Sequence, residues 1–591
     1  MLSEKISTMT QHKPLIPVSS GSSLVFKTGS QRSEWPYFIN KVAPCRQACP
    51  IGIDIPAAFH LASKGKIDEA LRSYLMENPL PGVCGRVCYH PCEVDCNRAN
   101  FDDAINIRSF ERFLADNGSV EPRKDVSATP KDGRIAVVGS GPAGLSAAYH
   151  LARQGYACTM FEEKPELGGM LRYGIPSYRL PRSVLDKEIE RILSLGIHIQ
   201  AGTRVGRDLS CSDLDSFDAI FLSVGLQSGK NLFQAEEYGK HILTGLQFLK
   251  NPVDWSMENP KQRVLIIGGG NVAIDVGRTL LRLRGGEGHH ITIVCPESRD
   301  QMPAIPEEVK EAIEEGLAIV NGWAPHEIHG KEGNLNAVDL RRAVVELDPN
   351  TGSVKINLVG QEIRTEQADK IVVAIGQELS NHDFPEGIET GGGIISTDQF
   401  QRTSAAKIFA GGDAVGGKAF VAQAIASGKM GALSIQCFLE GRDVETEFQA
   451  HQIANSQTFS FQHLIEHPEN GLVDLKRVVS FDQINTLFFF KSPRINPDER
   501  NPETRIQSFE EIRNELDTES MEQEIERCFR CGTCIDCENC LDFCPDISIL
   551  KDAKSGIYDF DADYCKGCGV CSVACPRNII EMVRDMTCET S

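Results

Sequence analysis

The stretch CFRCGTCIDCENCLDFCP, residues 528–545, carries six cysteines. Thiolates grouped this closely are soft ligands for iron–sulfur clusters or zinc. Twenty residues on, CKGCGVCSVACP (565–576) has the spacing C-x2-C-x2-C-x3-C-P, the bacterial ferredoxin run. In two-cluster ferredoxins the fourth cysteine of each run serves the other cluster. Counting back from Cys544-Pro545 sets the register of the first run. One [4Fe–4S] set is then Cys534, Cys537, Cys540 and Cys575, and the other is Cys565, Cys568, Cys571 and Cys544. A zinc ribbon is the competing reading, but zinc seldom needs two interlocked quartets. Cys528 and Cys531 are left over. They can form a dithiol, join another cluster register, or bind nothing.

A second group lies near the other end. Cys45-x3-Cys49-Pro is followed by Cys84, Cys88, Cys92 and Cys96, each four residues apart. Such spacing fits one helix face, yet four cysteines around His90-Pro91 make a poor core stripe, and ligation is expected. Of the 21 cysteines only Cys158, Cys211, Cys295, Cys437 and Cys588 fall outside the two groups. Clustered thiols in a long chain whose start has no apolar signal-like run read as cytoplasmic metal sites rather than disulfides.

Between the groups lie two strand–glycine–helix units. RIAVVGSGPAGLSAAYHLARQGYACTMFEEKPELGG places Gly139, Gly141 and Gly144 as G-x-G-x-x-G, and Glu162 ends the following strand. The first glycine allows the turn, the second admits a pyrophosphate to the helix N-terminus, the third lets helix and strand pack, and the acid binds a ribose hydroxyl. RVLIIGGGNVAIDVGRTL repeats the pattern with Gly268, Gly270, Asn271 and Ala273. IFAGGDAVGG (408–417) ends a strand in Gly412-Asp413, where the carboxylate can reach a flavin ribityl or phosphate group; a helix N-cap is the plainer role. Two dinucleotide folds, the second inserted in the first, fit FAD in one and NADH or NADPH in the other.

Composition agrees with a multidomain chain: 591 residues, 41% apolar, with 61 basic against 82 acidic side chains and a net charge of −21. That charge argues against nucleic acid and anionic membrane as partners, and no apolar run is long enough for a membrane span. The expected divisions are an arm (1–44), a helical iron–sulfur domain (45–130) and an FAD domain (131–255 and 376–440). They continue with a nucleotide domain (256–375), a linker or wrap (441–520) and a two-cluster ferredoxin domain of α+β type (521–591). The fold class is multidomain α/β with two nested Rossmann-type domains.

NPLPGVCGRVCYHPCEVDC, GGMLRYGIPSYRLP, GGGNVAIDVGRTL and AGGDAVGGKAFVAQAIASGK resemble the small-subunit family of glutamate synthase. Relatives of that family occur in dihydropyrimidine dehydrogenase and in electron-bifurcating ferredoxin–NADP oxidoreductase. The resemblance covers roughly residues 40–440 and implies an iron–sulfur flavoprotein that moves electrons between NAD(P)H and a partner, with Gly169 and Arg172 near the FAD. Members with two N-terminal clusters carry a further Cys-x2-Cys upstream. Here no cysteine precedes Cys45, so one [4Fe–4S] cluster is satisfied, and a second needs a non-cysteine ligand such as Gln47 or His90. NADPH-using members place two arginines after the second strand of the nucleotide domain. Here Pro296 and Glu297 stand there, which favours NADH, while Arg299 keeps NADPH open. The partner expected by resemblance is a dissimilatory sulfite reductase, or else a 2-oxoacid:acceptor oxidoreductase, with a homodimer also allowed. The competing functions are a dithiol reductase using Cys528 and Cys531 and a non-catalytic iron–sulfur protein.

Overall fold

The computed structural model describes residues 27–584, except 122–129, 233–237, 254–260, 287–289, 332–333, 348–353, 380–383, 418, 467–472 and 553–555. Cys588 and most of the N-terminal arm lie outside the described residues.

The helical module begins with the short helix Pro44–Ala48; Asp54 then accepts the Ala57 N–H and caps the helix Ile55–Ser63, with Pro56 in its first turn. Ile55, Ala58, Phe59 and Ala62 recur at helical spacing and are buried. Helices Ile67–Glu77, Pro81–Val87 and Ile107–Asn117 complete the module.

The first nucleotide fold is a five-stranded parallel sheet in the order Ile408–Ala410, Ala219–Leu222, Arg134–Val138, Ala157–Glu162, His198–Ala201. The second has the matching order Ile242–Thr244, Lys370–Val373, Val264–Ile267, Ile291–Cys295, Ala318–Asn321. The inner strands Ala219–Leu222, Lys370–Val373 and Val264–Ile267 are buried throughout and read in sequence as continuous apolar runs, whereas the edge strands His198–Ala201 and Ala318–Asn321 are partly exposed. A three-stranded antiparallel sheet, Trp323–Lys331, Asn334–Leu347 and Val354–Gln367, is inserted before the strand Lys370–Val373.

Two expected boundaries shift. Ile242–Thr244 pairs with Lys370–Val373, so the nucleotide domain takes in residues before 256; a three-residue strand leaves too little periodicity to assign. The arm is also not separate from the rest. Glu34–Phe38 pairs antiparallel with Ile580–Arg584, the last ferredoxin strand, in a two-stranded sheet, while Asn40–Val42 pairs with the wrap strand Val473–Val478.

The wrap is bound by charge as well as by strands. Arg278, fully buried, contacts Glu308, Glu311 and Glu315, and Arg505 and Arg513 from the wrap reach Glu314, Glu315 and Glu311. A second buried node joins three modules. Lys429 Nζ lies 2.5 Å from Glu77 and donates to Ile51 O and Phe459 O, each at 2.6 Å. Glu77 in turn accepts from Ser460 Oγ and from the Phe461 and Gln462 N–H groups. The Lys429 charge and these hydrogen bonds hold the Glu77 carboxyl below its usual range despite burial.

Removing one partner of a buried, hydrogen-bonded pair strands the other's charge. Lys429→Met is therefore expected to cost about 3–5 kcal/mol in denaturant unfolding. The double variant Glu77→Gln/Lys429→Met is expected to recover part of that loss. Equal stability of Lys429→Met and wild type would refute the role of this node.

Candidate active site and cluster sites

A cleft of about 370 Å³ opens between the two nucleotide folds. Gly139, Ser140, Gly141, Glu162, Gly169, Gly412 and Asp413 form its wall on the side of the first fold. The helix Pro142–Arg153 points its N-terminus at this space, and nothing stands within 4 Å of where a Cβ on Gly141 would sit. Open backbone N–H groups at a helix start suit a pyrophosphate. Gly144 lies outside the wall and serves packing: a Cβ there would come within 2.0 Å of Gly139 O. Glu162 accepts from the Ser140 N–H at 2.9 Å and from Ser140 Oγ at 2.5 Å, which braces the loop from beneath. The Asp413 carboxyl is pushed up by burial alone. Arg172 is not in the wall; its guanidinium bonds Leu167 O and Asp186 and so steadies the Gly168–Gly169 turn.

The second fold also contributes to the cleft, through Asn271, Val272 and Asp275. Asp275 meets Arg179, another wall residue, at 2.7 Å across the domain boundary. Burial raises its carboxyl to about 6. Both residues sit inside motifs visible in the sequence, but only their partnership across domains marks them. Gly270, like Gly141, is open to approach, and Ala273 is buried under it. Glu297 lies against this second loop, one carboxylate oxygen 2.7 Å from the position of a Gly269 Cβ, and that oxygen is buried with no hydrogen-bond partner. Arg299 is exposed. A third module reaches the cleft as well. Val87, between Cys84 and Cys88, is part of the wall, and Tyr89 stacks on the wall residue Phe420 with ring centroids 4.3 Å apart.

The clustered cysteines fall into four sets. One small cavity is lined by Cys534, Cys537, Cys540 and Cys575, and another by Cys544, Cys565, Cys568 and Cys571. These are the two crossed quartets read from the Cys-Pro register. The N-terminal six divide. Among the described residues, Cys49, Cys84, Cys88 and Cys92 are the four that line no cavity with the C-terminal cysteines; Cys84 and Cys88 stand one helical turn apart, the Cys88 N–H donating to Cys84 O at 3.1 Å. Cys45 and Cys96 instead line a third cavity together with Cys528 and Cys531. His90 is buried and its Nε2 has no partner, but its backbone N–H points at Cys88 Sγ, 3.4 Å away.

Among the described residues, no three cysteine sulfurs lie within 4.8 Å of one another. Four thiolates on a tetrahedral zinc ion stand about 3.8 Å apart, given Zn–S bonds of about 2.3 Å. The sets are too open for a single zinc ion and suit a larger cluster.

Comparison with known proteins agrees with this geometry. The pyridine nucleotide-disulphide oxidoreductase family matches residues 133–428. Dihydropyrimidine dehydrogenase domain II, a 4Fe–4S domain, matches 39–122, and the 4Fe–4S dicluster domain matches 533–579. The NADP(+)-dependent formate dehydrogenase subunit beta of Moorella thermoacetica is 37% identical over 67% of this chain, which spans 60% of that relative's length. The NAD-dependent dihydropyrimidine dehydrogenase subunit PreT of Escherichia coli K12 is 35% identical over 68% of this chain and 92% of its own. The glutamate synthase [NADPH] small chain of the same strain is 32% identical over 67% and 88%. With both nucleotide folds, the N-terminal cysteine module and the dicluster domain all matched, the chain belongs to the FAD- and NAD(P)H-dependent iron–sulfur oxidoreductases of the glutamate synthase small-subunit family.

Proposed function

We propose that this chain carries electrons between NADH and a partner redox enzyme. The observation that carries the reading is the shared cleft: residues of both glycine-loop folds and Val87 of the cysteine module line one space. FAD bound there would exchange a hydride with the nicotinamide and single electrons with [4Fe–4S] clusters, which a nicotinamide cannot do alone. The residues bind and orient. The first glycine loop and its helix start would hold the pyrophosphate, with Glu162 keeping Ser140 in place. Asp413, on the cleft wall, would meet the ribityl or phosphate side of a bound FAD. Asn271, whose Oδ1 accepts the Ile305 N–H at 2.9 Å, fixes the start of the second helix where the nicotinamide half must enter.

The ligand sets proposed are Cys49, Cys84, Cys88 and Cys92 beside the cleft, then the two ferredoxin quartets. Cys568 is exposed, unlike the other clustered cysteines. It marks the end of the series at which a partner docks. The net charge of −21 suits a partner with a basic docking face. A sulfite reductase or a 2-oxoacid oxidoreductase remains the partner class suggested by the sequence. The relatives' names add formate dehydrogenase and dihydropyrimidine dehydrogenase. Cys528 and Cys531 do not border the cleft, which removes the support for a dithiol reductase.

The preference for NADH rests on Glu297. Its unpartnered carboxylate oxygen beside Gly269 can accept from a free ribose 2′-OH and would repel a 2′-phosphate. In steady-state assays with a viologen or tetrazolium dye, kcat/KM should be higher for NADH than for NADPH. Glu297→Ala should lower the NADH value about tenfold, the weight of one charge-assisted hydrogen bond, and narrow the preference. Anaerobically purified protein that reduces the dye with neither nucleotide would overturn the oxidoreductase reading. A stronger preference for NADPH would overturn only the role of Glu297.

A further inference from the structure

The cavity shared by Cys45, Cys96, Cys528 and Cys531 joins residues more than 430 positions apart. All four are free thiols. Soft thiol groups drawn from both ends of the chain into one small cavity form a ligand set suited to an iron–sulfur cluster. The surroundings are built for negative charge. The Arg530 N–H points at Cys528 Sγ at 3.4 Å, and Asn97 Nδ2 at Cys531 Sγ at 3.5 Å. Arg98 lines the cavity and is 2% exposed. Arg530 and Arg577 are buried too, each with a partnerless Nε. Buried guanidinium groups of this kind suit surroundings that carry negative charge.

We propose that Cys45 and Cys96 of the helical module and Cys528 and Cys531 of the C-terminal segment together ligate one [4Fe–4S] cluster. This cluster lies between the Cys49, Cys84, Cys88, Cys92 set and the Cys534, Cys537, Cys540, Cys575 set. Backbone links fix that order. Cys45 and Cys49 stand one helical turn apart, with the Cys49 N–H donating to Cys45 O at 3.2 Å. Cys531 precedes Cys534 by three residues. The loop is pinned where it must be. Lys41 and Gly532 bond through their backbones at 2.8 Å, a Cβ on Gly532 would clash with Lys41 O at 2.6 Å, and Asn40 Oδ1 accepts the Cys534 N–H. No non-cysteine ligand is then required, and the sixteen clustered cysteines divide into four quartets. The site depends on no step of the NADH chemistry.

The test uses full-length protein purified without oxygen, with iron, acid-labile sulfide and zinc measured per chain. Wild type is expected to hold about sixteen iron and sixteen sulfide. Cys528→Ser/Cys531→Ser and Cys45→Ser/Cys96→Ser should each lose about a quarter of both. The same electron paramagnetic resonance signal should vanish from the two dithionite-reduced variants, with FAD content unchanged. Twelve iron in wild type, zinc in place of iron, or full iron in either folded double variant would overturn the proposal. If a double variant does not fold, the single variants Cys531→Ser and Cys96→Ser decide: each should change or lose that same electron paramagnetic resonance signal, and an unchanged signal at full iron content in both would overturn the proposal. Loss of dye reduction with sixteen iron retained would refute the proposed function and leave this site standing.

Discussion

The buried pair of Glu77 and Lys429 is the point through which the modules hold one another. Glu77 ends a helix of the cysteine module, Lys429 sits on the long helix that covers the FAD sheet, and the bonds they share reach Ile51, Phe459 and Ser460. A charge pair this deep contributes little net stability compared with well-packed apolar groups. What it does fix is position, because each partner is intolerable without the other. It holds the loop after Cys49 against the flavin domain, and so keeps Val87 and Tyr89 at the cleft. The cysteine module is an integral wall of the flavin site.

The same logic of shared parts recurs along the chain. The last ferredoxin strand is paired by Glu34–Phe38 from the N-terminal side, and the wrap clamps the nucleotide domain through Arg505 and Arg513. Electron transfer between redox groups demands short, fixed separations, and domains joined by flexible linkers would not supply them. Here each cysteine set shares a helix turn or a three-residue loop with the next. In the proposed assignment the sets follow in series from the cleft to Cys568, and each step is short because the ligands of adjacent sets are near neighbours in sequence. Buried Arg98 adds a positive charge to the wall of the cavity that Cys45, Cys96, Cys528 and Cys531 share.

Local spacing made much of this legible. Gly139, Gly141 and Gly144 announce their turn because a phosphate loop is a contiguous piece of chain, and the Cys-Pro register gives both ferredoxin quartets for the same reason. Residues that meet across the fold were not legible. Arg179 and Asp275 are ordinary charges until the domain interface joins them, and Lys429 is one lysine in a helix. The shared quartet lies between these cases. Six thiols where two clusters need eight, with two thiols spare at the other end, is an arithmetic signal. It lacks only the geometry that brings residue 45 to residue 528. The strand Ile242–Thr244 failed for another reason, since three residues carry no period.

The central claim is that one flavin and four clusters form a single connected series, so the chain should store electrons as a unit. An anaerobic dithionite titration, followed by flavin and cluster absorbance, measures that capacity directly. The account predicts about six electrons per chain, two for the flavin and one for each cluster. Saturation at two, or at five with the cluster between the modules missing, would contradict it.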